Sequence, residues 1–293
     1  MTLIKDVRDQ GLDKFYTNLD IAEMCIERTN EKFVLDSFDI VIEPSAGGGS
    51  FSHQLHHNNV IAMDISPEKD DKNIIQKDFL TYYPIKKSSA KIITIGNPPF
   101  GKNSSLAIKF FNHAAKWSDV IAFIIPKVFR RISIQNKLCT HFHLIHDEDI
   151  PTTPCSFSPP MNVKCCFQIW QINKEGVKRD IIRLPTIHSH WNFLGFGPKD
   201  ENNQPTPPEG ADFAIRAYGG KCGDIVENME ELKNLRPKSW HWIQCIPSNV
   251  EKKALIERFY SLNYSNSKNT ARQNSIGKGE LIALYSDVYD AKW

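Results

Sequence analysis

The sequence lacks any C-x-x-C pair, and it lacks an apolar run near the roughly 18–20 residues that span a bilayer. Its seven cysteines, Cys25, Cys139, Cys155, Cys165, Cys166, Cys222 and Cys245, are odd in number and irregular in spacing. That pattern argues against a disulfide framework and against a cysteine zinc site, and for a reducing compartment. The first ten residues, MTLIKDVRDQ, carry no apolar stretch of the signal-peptide kind. A cytoplasmic protein, or a nuclear one in a eukaryote, is expected rather than a secreted or membrane-bound one. Charge of one sign is also missing. Lys and Arg number 36 and Asp and Glu 34, for a net charge of +2, with 19 of each sign before Trp170. Bulk attraction to a polyanion is therefore not indicated.

What remains is an ordinary globular composition, 41% hydrophobic and 24% charged, in 293 residues. At about 150 residues per domain this is one large domain, or one with a smaller attachment. Short apolar runs recur: Phe38–Ile42, Val60–Met63, Lys91–Ile95 and Val120–Ile125. Runs of this kind closed by polar residues predict buried parallel strands. Helical spacing over 12–33, with Asn18 or Asp20 as cap, and over 106–117 predicts helices among them. Strand, loop, helix and strand in repetition point to an open, doubly wound, mostly parallel α/β sheet. Asp149–Pro151 and Val163–Ile172 predict two further strands forming an antiparallel hairpin at the sheet edge. The division is expected at 172/173, with 1–172 as the catalytic sheet and 173–293 as a small α+β extension. Within that extension, 248–262 and 279–288 read as helices.

Ligands of such sheets sit beyond the carboxyl ends of the strands. Glu43-Pro44-Ser45-Ala46-Gly47-Gly48-Gly49-Ser50-Phe51 follows the first predicted strand. It is neither G-x-G-x-x-G nor a phosphate loop, since no Gly-Lys-Ser/Thr follows. Glycines there let the backbone approach a ligand closely. Asp64 ends the next strand, where a carboxylate commonly accepts from ribose hydroxyls. Asp78-Phe79 suits an adenine ring, one residue reading an amine and the other packing a face. Asn97-Pro98-Pro99-Phe100 closes the following strand. Its prolines hold an asparagine and a carbonyl in one geometry beside an aromatic surface.

Together with Phe15-Tyr16-Thr17 upstream, this ordered set resembles the S-adenosylmethionine-dependent amino-methyltransferases that carry an N-P-P-F signature. The order is similar to that of the gamma group of DNA adenine-N6 methyltransferases, and the resemblance covers residues 13–172. It implies a Rossmann-like class I methyltransferase fold and S-adenosyl-L-methionine as cofactor. The cofactor side would comprise Phe15, Tyr16, Thr17, Glu43, Pro44, Ser45, Ala46, Gly47, Gly49, Asp64, Ile65, Asp78, Phe79 and Asn97. The catalytic loop would be Asn97, Pro98, Pro99 and Phe100. The triple-glycine loop led by Glu-Pro-Ser departs from the family pattern and leaves the contacts of Ser45 and Ala46 open.

The chemistry accords with that resemblance. An adenine exocyclic amine is a poor nucleophile because its lone pair is delocalised into the ring. The family assigns two acceptors to its two N–H bonds, the Asn97 side-chain oxygen and the Pro98 carbonyl. Such acceptors free the lone pair and stabilise positive charge developing on nitrogen. The base must be flipped out or unpaired, with aromatics replacing its stacking. Phe100 supplies one face, and Phe157 holds the family position for the other. Seven basic residues against one acid in 97–141 offer phosphate contacts, with Lys127, Arg130 and Arg131 the strongest candidates. No metal is expected, although His141, His143, His146 and Asp147, and separately His188 and His190, could be imagined as ligands.

The expected partner is nucleic acid, with DNA favoured over RNA. A bulged or single-stranded RNA would need fewer phosphate contacts from a nearly neutral protein. A protein-glutamine methyltransferase uses a similar N-P-P loop but usually ends it in tyrosine, so Phe100 and the upstream Phe15-Tyr16-Thr17 count against it. A non-catalytic cofactor-binding scaffold is the reading from a different class. The C-terminal part more loosely resembles tails of small stand-alone N-P-P-F enzymes, through Asp212–Arg216 and Lys278–Ile282. It occupies the place of a target-recognition domain.

Overall fold

A computed structural model describes residues 15–68, 71–85 and 89–290. The short strand β1 (Tyr16–Thr17) leads into helix α1 (Leu19–Lys32). The helix predicted over 12–33 thus starts at Leu19, and 12–14 lie outside the described residues. Asn18 stands at its N-cap, but its side chain does not cap. Its Nδ2 donates to the Cys155 carbonyl at 2.8 Å, while its own carbonyl takes the Ile21 and Ala22 N–H groups.

The strands that follow are β2 (Ile40–Glu43), β3 (Val60–Asp64), β4 (Ile74–Gln76) and β5 (Ile92–Gly96). Helix α2 (Ser105–Ala114) and strand β6 (Val120–Pro126) come next, then the short α3 (Ile132–Gln135). The unit closes with β7 (Phe142–Asp149), β8 (Phe157–Ser158) and β9 (Cys165–Ile172). Seven strands form one sheet in the order β4-β3-β2-β5-β6-β9-β7. The first five are parallel, and β9 runs antiparallel to both β6 and β7. This is the expected doubly wound, mostly parallel α/β arrangement, with its antiparallel hairpin at one edge.

The strand period of two sorts the core onto the two faces of the sheet. Val41, Ile93, Ile95, Ala122 and Ile124 pack with Ile21 and Cys25 of α1. Ile40, Ile42, Ile92, Ile121, Phe123 and Ile125 pack with Ala107, Phe110 and Phe111 of α2. Each fully buried Ile or Phe contributes about 1.5–3 kcal/mol of transfer free energy, so β2, β5 and β6, buried along their whole length, anchor the fold. The hairpin differs from expectation in one respect. Its first strand begins at Phe142, seven residues before Asp149, because polar His143, His146 and Asp147 are tolerated on an edge strand.

The chain divides into two compact units at Ile181/Ile182, nine residues beyond the expected boundary. Residues 173–181 stay with the first unit through Asn173 N–H on the His141 carbonyl and Arg179 Nε on the Phe142 carbonyl. Arg179 also lies over the Trp170 ring at 5.2 Å. The second unit contains β10 (Trp191–Phe193), β11 (Phe213–Arg216), β12 (Ile225–Val226), α4 (Met229–Lys233) and β13 (Trp240–Cys245). Helices α5 (Lys252–Tyr260) and α6 (Lys278–Tyr289) complete it. Its antiparallel sheet has the order β10-β13-β11-β12. Phe213, Ile215 and Ile243 pack with Leu255, Phe259, Leu281 and Tyr285, whereas Ala214 and Trp242 pack with Leu232. Among the described residues, no helix is long and apolar enough to cross a membrane.

Candidate active site

The sheet reverses its winding between β2 and β5, and open α/β sheets place ligands beyond such a point. Glu43 ends β2 and Gly96 ends β5, so close that a Cβ on Gly96 would lie 3.4 Å from Glu43 Cγ. Glu43 is 1% exposed, and its Oε2 accepts from Ser52 N–H at 2.9 Å. Burial pushes its carboxyl up to about 8, against the opposing pull of hydrogen bonds from Ser52 and Phe51.

The glycine loop that follows β2 turns through Gly47 at φ +54° and Gly49 at φ +79°, the left-handed region that favours glycine. A Cβ on Gly47 would sit 2.8 Å from the Tyr16 ring. Tyr16 therefore packs directly on the loop, and its hydroxyl donates to Glu68. Ala46 N–H is pinned to the Met63 carbonyl of β3 at 2.9 Å. Asp64 accepts from Gly47 N–H at 2.8 Å and from Ser66 N–H at 2.8 Å, one bond on each oxygen. A carboxylate has about four acceptor sites, so Asp64 keeps capacity for ribose hydroxyls. Ile65, 54% exposed, offers an apolar face beside it. These residues fit a nucleoside-bearing cofactor.

Asn97 is held at both ends. Its carbonyl accepts from Ser45 Oγ at 2.9 Å, and its Nδ2 donates to Thr17 Oγ1 at 3.1 Å. Its Oδ1 is buried and has no hydrogen-bond partner among the described residues. Phe100 packs against both core clusters, and its carbonyl accepts from Leu106 and Ala107 N–H at the start of α2. The structure thus brings Thr17, Glu43, Ser45, Asp64 and Asn97 together around the loop.

Other expected site residues lie elsewhere. Phe79 is 1% exposed and packed edge-on against His113 and Trp117 and at 5.0 Å from Phe110. Its ring belongs to the core and is closed to an adenine face. Asp78 caps the short turn after it through Leu80 N–H at 2.9 Å. Phe157 is 4% exposed and pairs with Thr17 in the β1–β8 ladder. It fills the core cluster beside α1 and does not present a second stacking face. Lys127 and Arg130 are also committed to other work. Lys127 Nζ lies 2.5 Å from Asp149, and Arg130 holds Asp147 bidentately, with Nε at 2.9 and 3.0 Å, and Asp149 at 2.7 Å. The acids lie on β7, outside the 97–141 window in which the excess was counted. Arg131 stands at the head of α3, where its carbonyl takes Ile134 and Gln135 N–H.

Sequence reasoning missed Ser50 and Glu68. Ser50 Oγ donates to the Thr17 carbonyl at 2.7 Å, and Glu68 receives Tyr16. Only their positions in the loop and after the strand-end acid could have pointed to them. In the second unit, ligand atoms of His188, His190 and Asp290 lie within 4.8 Å of one another. They are already engaged. His188 Nε2 meets Asp290 at 2.8 Å, and His190 Nδ1 meets the Tyr285 hydroxyl, which accepts from Arg258. All seven cysteines are free thiols.

A family model described as the EDM2 methyltransferase-like domain matches residues 52–181. No curated protein matches the chain. Among solved structures, a Listeria monocytogenes protein assigned as a class I S-adenosylmethionine-dependent methyltransferase is 10% identical. The likeness covers 56% of this chain and 62% of that one, with a TM-score of 0.44. A Pyrococcus horikoshii protein assigned as an RNA methyltransferase is 17% identical over 55% of this chain and 87% of its own, with a TM-score of 0.40. The 23S rRNA methyltransferase ErmE is 14% identical over 58% and 72%, with a TM-score of 0.40. Overlap at this level carries nothing about substrate. Residues 52–181 thus match a methyltransferase-like domain, and with the seven-stranded, mostly parallel sheet this implies S-adenosylmethionine as cofactor.

Proposed function

We propose that the protein transfers the methyl group of S-adenosylmethionine to the N6 amine of adenine in nucleic acid. The observation that carries this reading is the buried Oδ1 of Asn97, which has no hydrogen-bond partner among the described residues. A buried acceptor without a donor costs about 1–3 kcal/mol, a cost that an arriving N–H group offsets. An amine bearing two N–H bonds suits this site, and the N-P-P-F pattern supports an adenine amine.

Bound S-adenosylmethionine supplies an electrophilic methyl group on a sulfonium sulfur. Asp64 would hold the ribose hydroxyls, Ile65 would pack the adenine, and the turn at Gly47 and Gly49 would let the backbone come close. Asn97 Oδ1 and the Pro98 carbonyl would accept the two N–H bonds of the target amine. The amine lone pair held there would take the methyl group, leaving the C–S electron pair on sulfur. The methylated, positively charged amine is acidic and would then lose its proton to solvent. Alignment supplies most of the rate, since the methyl is already activated. Phe100 would stack on one face of a base that is flipped or unpaired.

DNA is the first substrate class for this reaction. One observation favours RNA, or any unpaired strand, as a second reading. Lys127 and Arg130 are tied to Asp147 and Asp149, which leaves fewer cations to follow a duplex backbone. Incubation with labelled S-adenosylmethionine and separate duplex DNA, single-stranded DNA and RNA tests both readings. N6-methyladenosine from RNA, or N6-methyl-2′-deoxyadenosine from DNA, supports the proposal, and label on protein overturns it.

A further inference from the structure

Thr17 belongs by sequence to the segment expected to touch the cofactor, yet its side chain is spent on the catalytic loop. It is 6% exposed, and its Oγ1 accepts from Asn97 Nδ2 at 3.1 Å, from 80 positions further along the chain. Two other contacts fix Thr17. Its carbonyl accepts from Ser50 Oγ at 2.7 Å, which ties it to the glycine loop. Its backbone pairs with Phe157 in the β1–β8 ladder. The next residue is stitched to the same late loop, with Asn18 N–H on the Ser156 carbonyl at 3.0 Å and Asn18 Nδ2 on the Cys155 carbonyl at 2.8 Å.

An asparagine amide offers an acceptor on one side and two donors on the other, and its terminal torsion is broad and roughly two-fold. Turned half a revolution, Asn97 would aim N–H groups at an amine whose own N–H bonds are donors. Ser45 anchors only the Asn97 backbone carbonyl, which does not set that torsion. The Thr17 hydroxyl bonds the amide itself, accepting from Nδ2 at 3.1 Å, and so holds the group in place. With the amine bound, the turned amide sets N–H against N–H and leaves Nδ2 without the acceptor it has at Thr17.

We propose that Thr17 is a positioning residue that fixes the Asn97 amide with its oxygen toward the substrate amine. The proposal rests on the methyl-transfer reading above, and it assigns Thr17 to the rate of transfer, not to cofactor affinity. Because β1 and Asn18 are laced to residues 155–158, the same anchor makes the geometry of the late loop felt at Asn97.

The test compares the full chain with Thr17→Val, which keeps the shape and removes the hydroxyl, and Thr17→Ser, which keeps the hydroxyl. Thermal melting first establishes that both variants fold. With the substrate found for the wild type, kcat of Thr17→Val is expected to fall by about tenfold to a hundredfold, as misplacement of a reacting group does. KM for S-adenosylmethionine should stay within about twofold, and Thr17→Ser should recover kcat to within about threefold of wild type. The second readout needs no activity. In ¹⁵N spectra the Asn97 side-chain amide is identified as the pair lost in Asn97→Asp. One of its protons should be exchange-protected in wild type and Thr17→Ser, and unprotected in Thr17→Val. Unchanged kcat in Thr17→Val, a raised cofactor KM with kcat intact, or an amide protected in all three proteins overturns the proposal. If the wild type methylates no nucleic acid, the functional reading falls separately, and the amide spectra still decide whether Thr17 anchors Asn97.

Discussion

Asn97 and Thr17 are joined by a 3.1 Å hydrogen bond that leaves the amide oxygen of Asn97 buried and unpartnered. A side chain with one end fixed and the other empty is poised for a donor. Asn97→Ala removes the acceptor and leaves the glycine loop and Asp64 in place. Methyl transfer should drop to no more than a few per cent of wild type, while S-adenosylmethionine binding by calorimetry persists. Substantial activity in the variant would refute the role given to Asn97.

Gly47 turns at φ +54° with the Tyr16 ring against the space a Cβ would need. Gly47→Ala should cost about 1–3 kcal/mol of stability, the range for a residue held in a disfavoured conformation, and should weaken cofactor binding. Combining it with Tyr16→Ala should recover only the steric part, because the backbone strain remains. Full recovery in denaturant melts would show that contact with Tyr16 alone excludes a side chain here.

Burial raises the carboxyl of Glu43 from its ordinary 4.5 to about 8. The folded state therefore binds a proton that the unfolded state releases between those values. The stability of the protonated form is fully present below pH 4.5 and is lost as pH rises toward and through 8. Glu43→Gln removes this titration. The melting temperature of wild type relative to Glu43→Gln should therefore fall as pH increases across that window. A difference independent of pH would contradict a protonated buried Glu43.

Arg130 bonds both oxygens of Asp147 and also reaches Asp149. Arg130→Gln should lower stability by about 1.5–3 kcal/mol, as loss of charged hydrogen bonds does. The salt dependence of nucleic-acid binding should keep its slope. Were Arg130 bound to a phosphate, the substitution would instead reduce that slope by about one unit, and that result would return Arg130 to the substrate interface.

Much of the first unit was legible because its central strands are short apolar runs buried on both faces, which read the same way in sequence and in the sheet. Strand β4 escaped notice, since Ile74–Gln76 is three residues long with one buried position. The residues gathered at the strand ends, Glu43, Asp64 and Asn97, were legible from their place after each run. The aromatics were not. A phenylalanine in a loop carries no mark of which side its ring takes, and Phe79 and Phe157 both turned inward. The ion pairs of Lys127 and Arg130 were hidden for a different reason. Their acids lie 17 and more positions onward, on a strand that only the β6–β9–β7 pairing brings alongside. In the same way, the bond between Thr17 and Asn97 joins segments that no local pattern connects.

The most direct measurement is nucleoside analysis after reaction of the purified chain with methyl-labelled S-adenosylmethionine and adenine-containing DNA or RNA. The expected result is label in N6-methyladenosine or its deoxy form from wild type, and none from Asn97→Ala. Label at another base position, label on protein, or equal transfer by both proteins would contradict the role assigned to Asn97 and the reaction built on it.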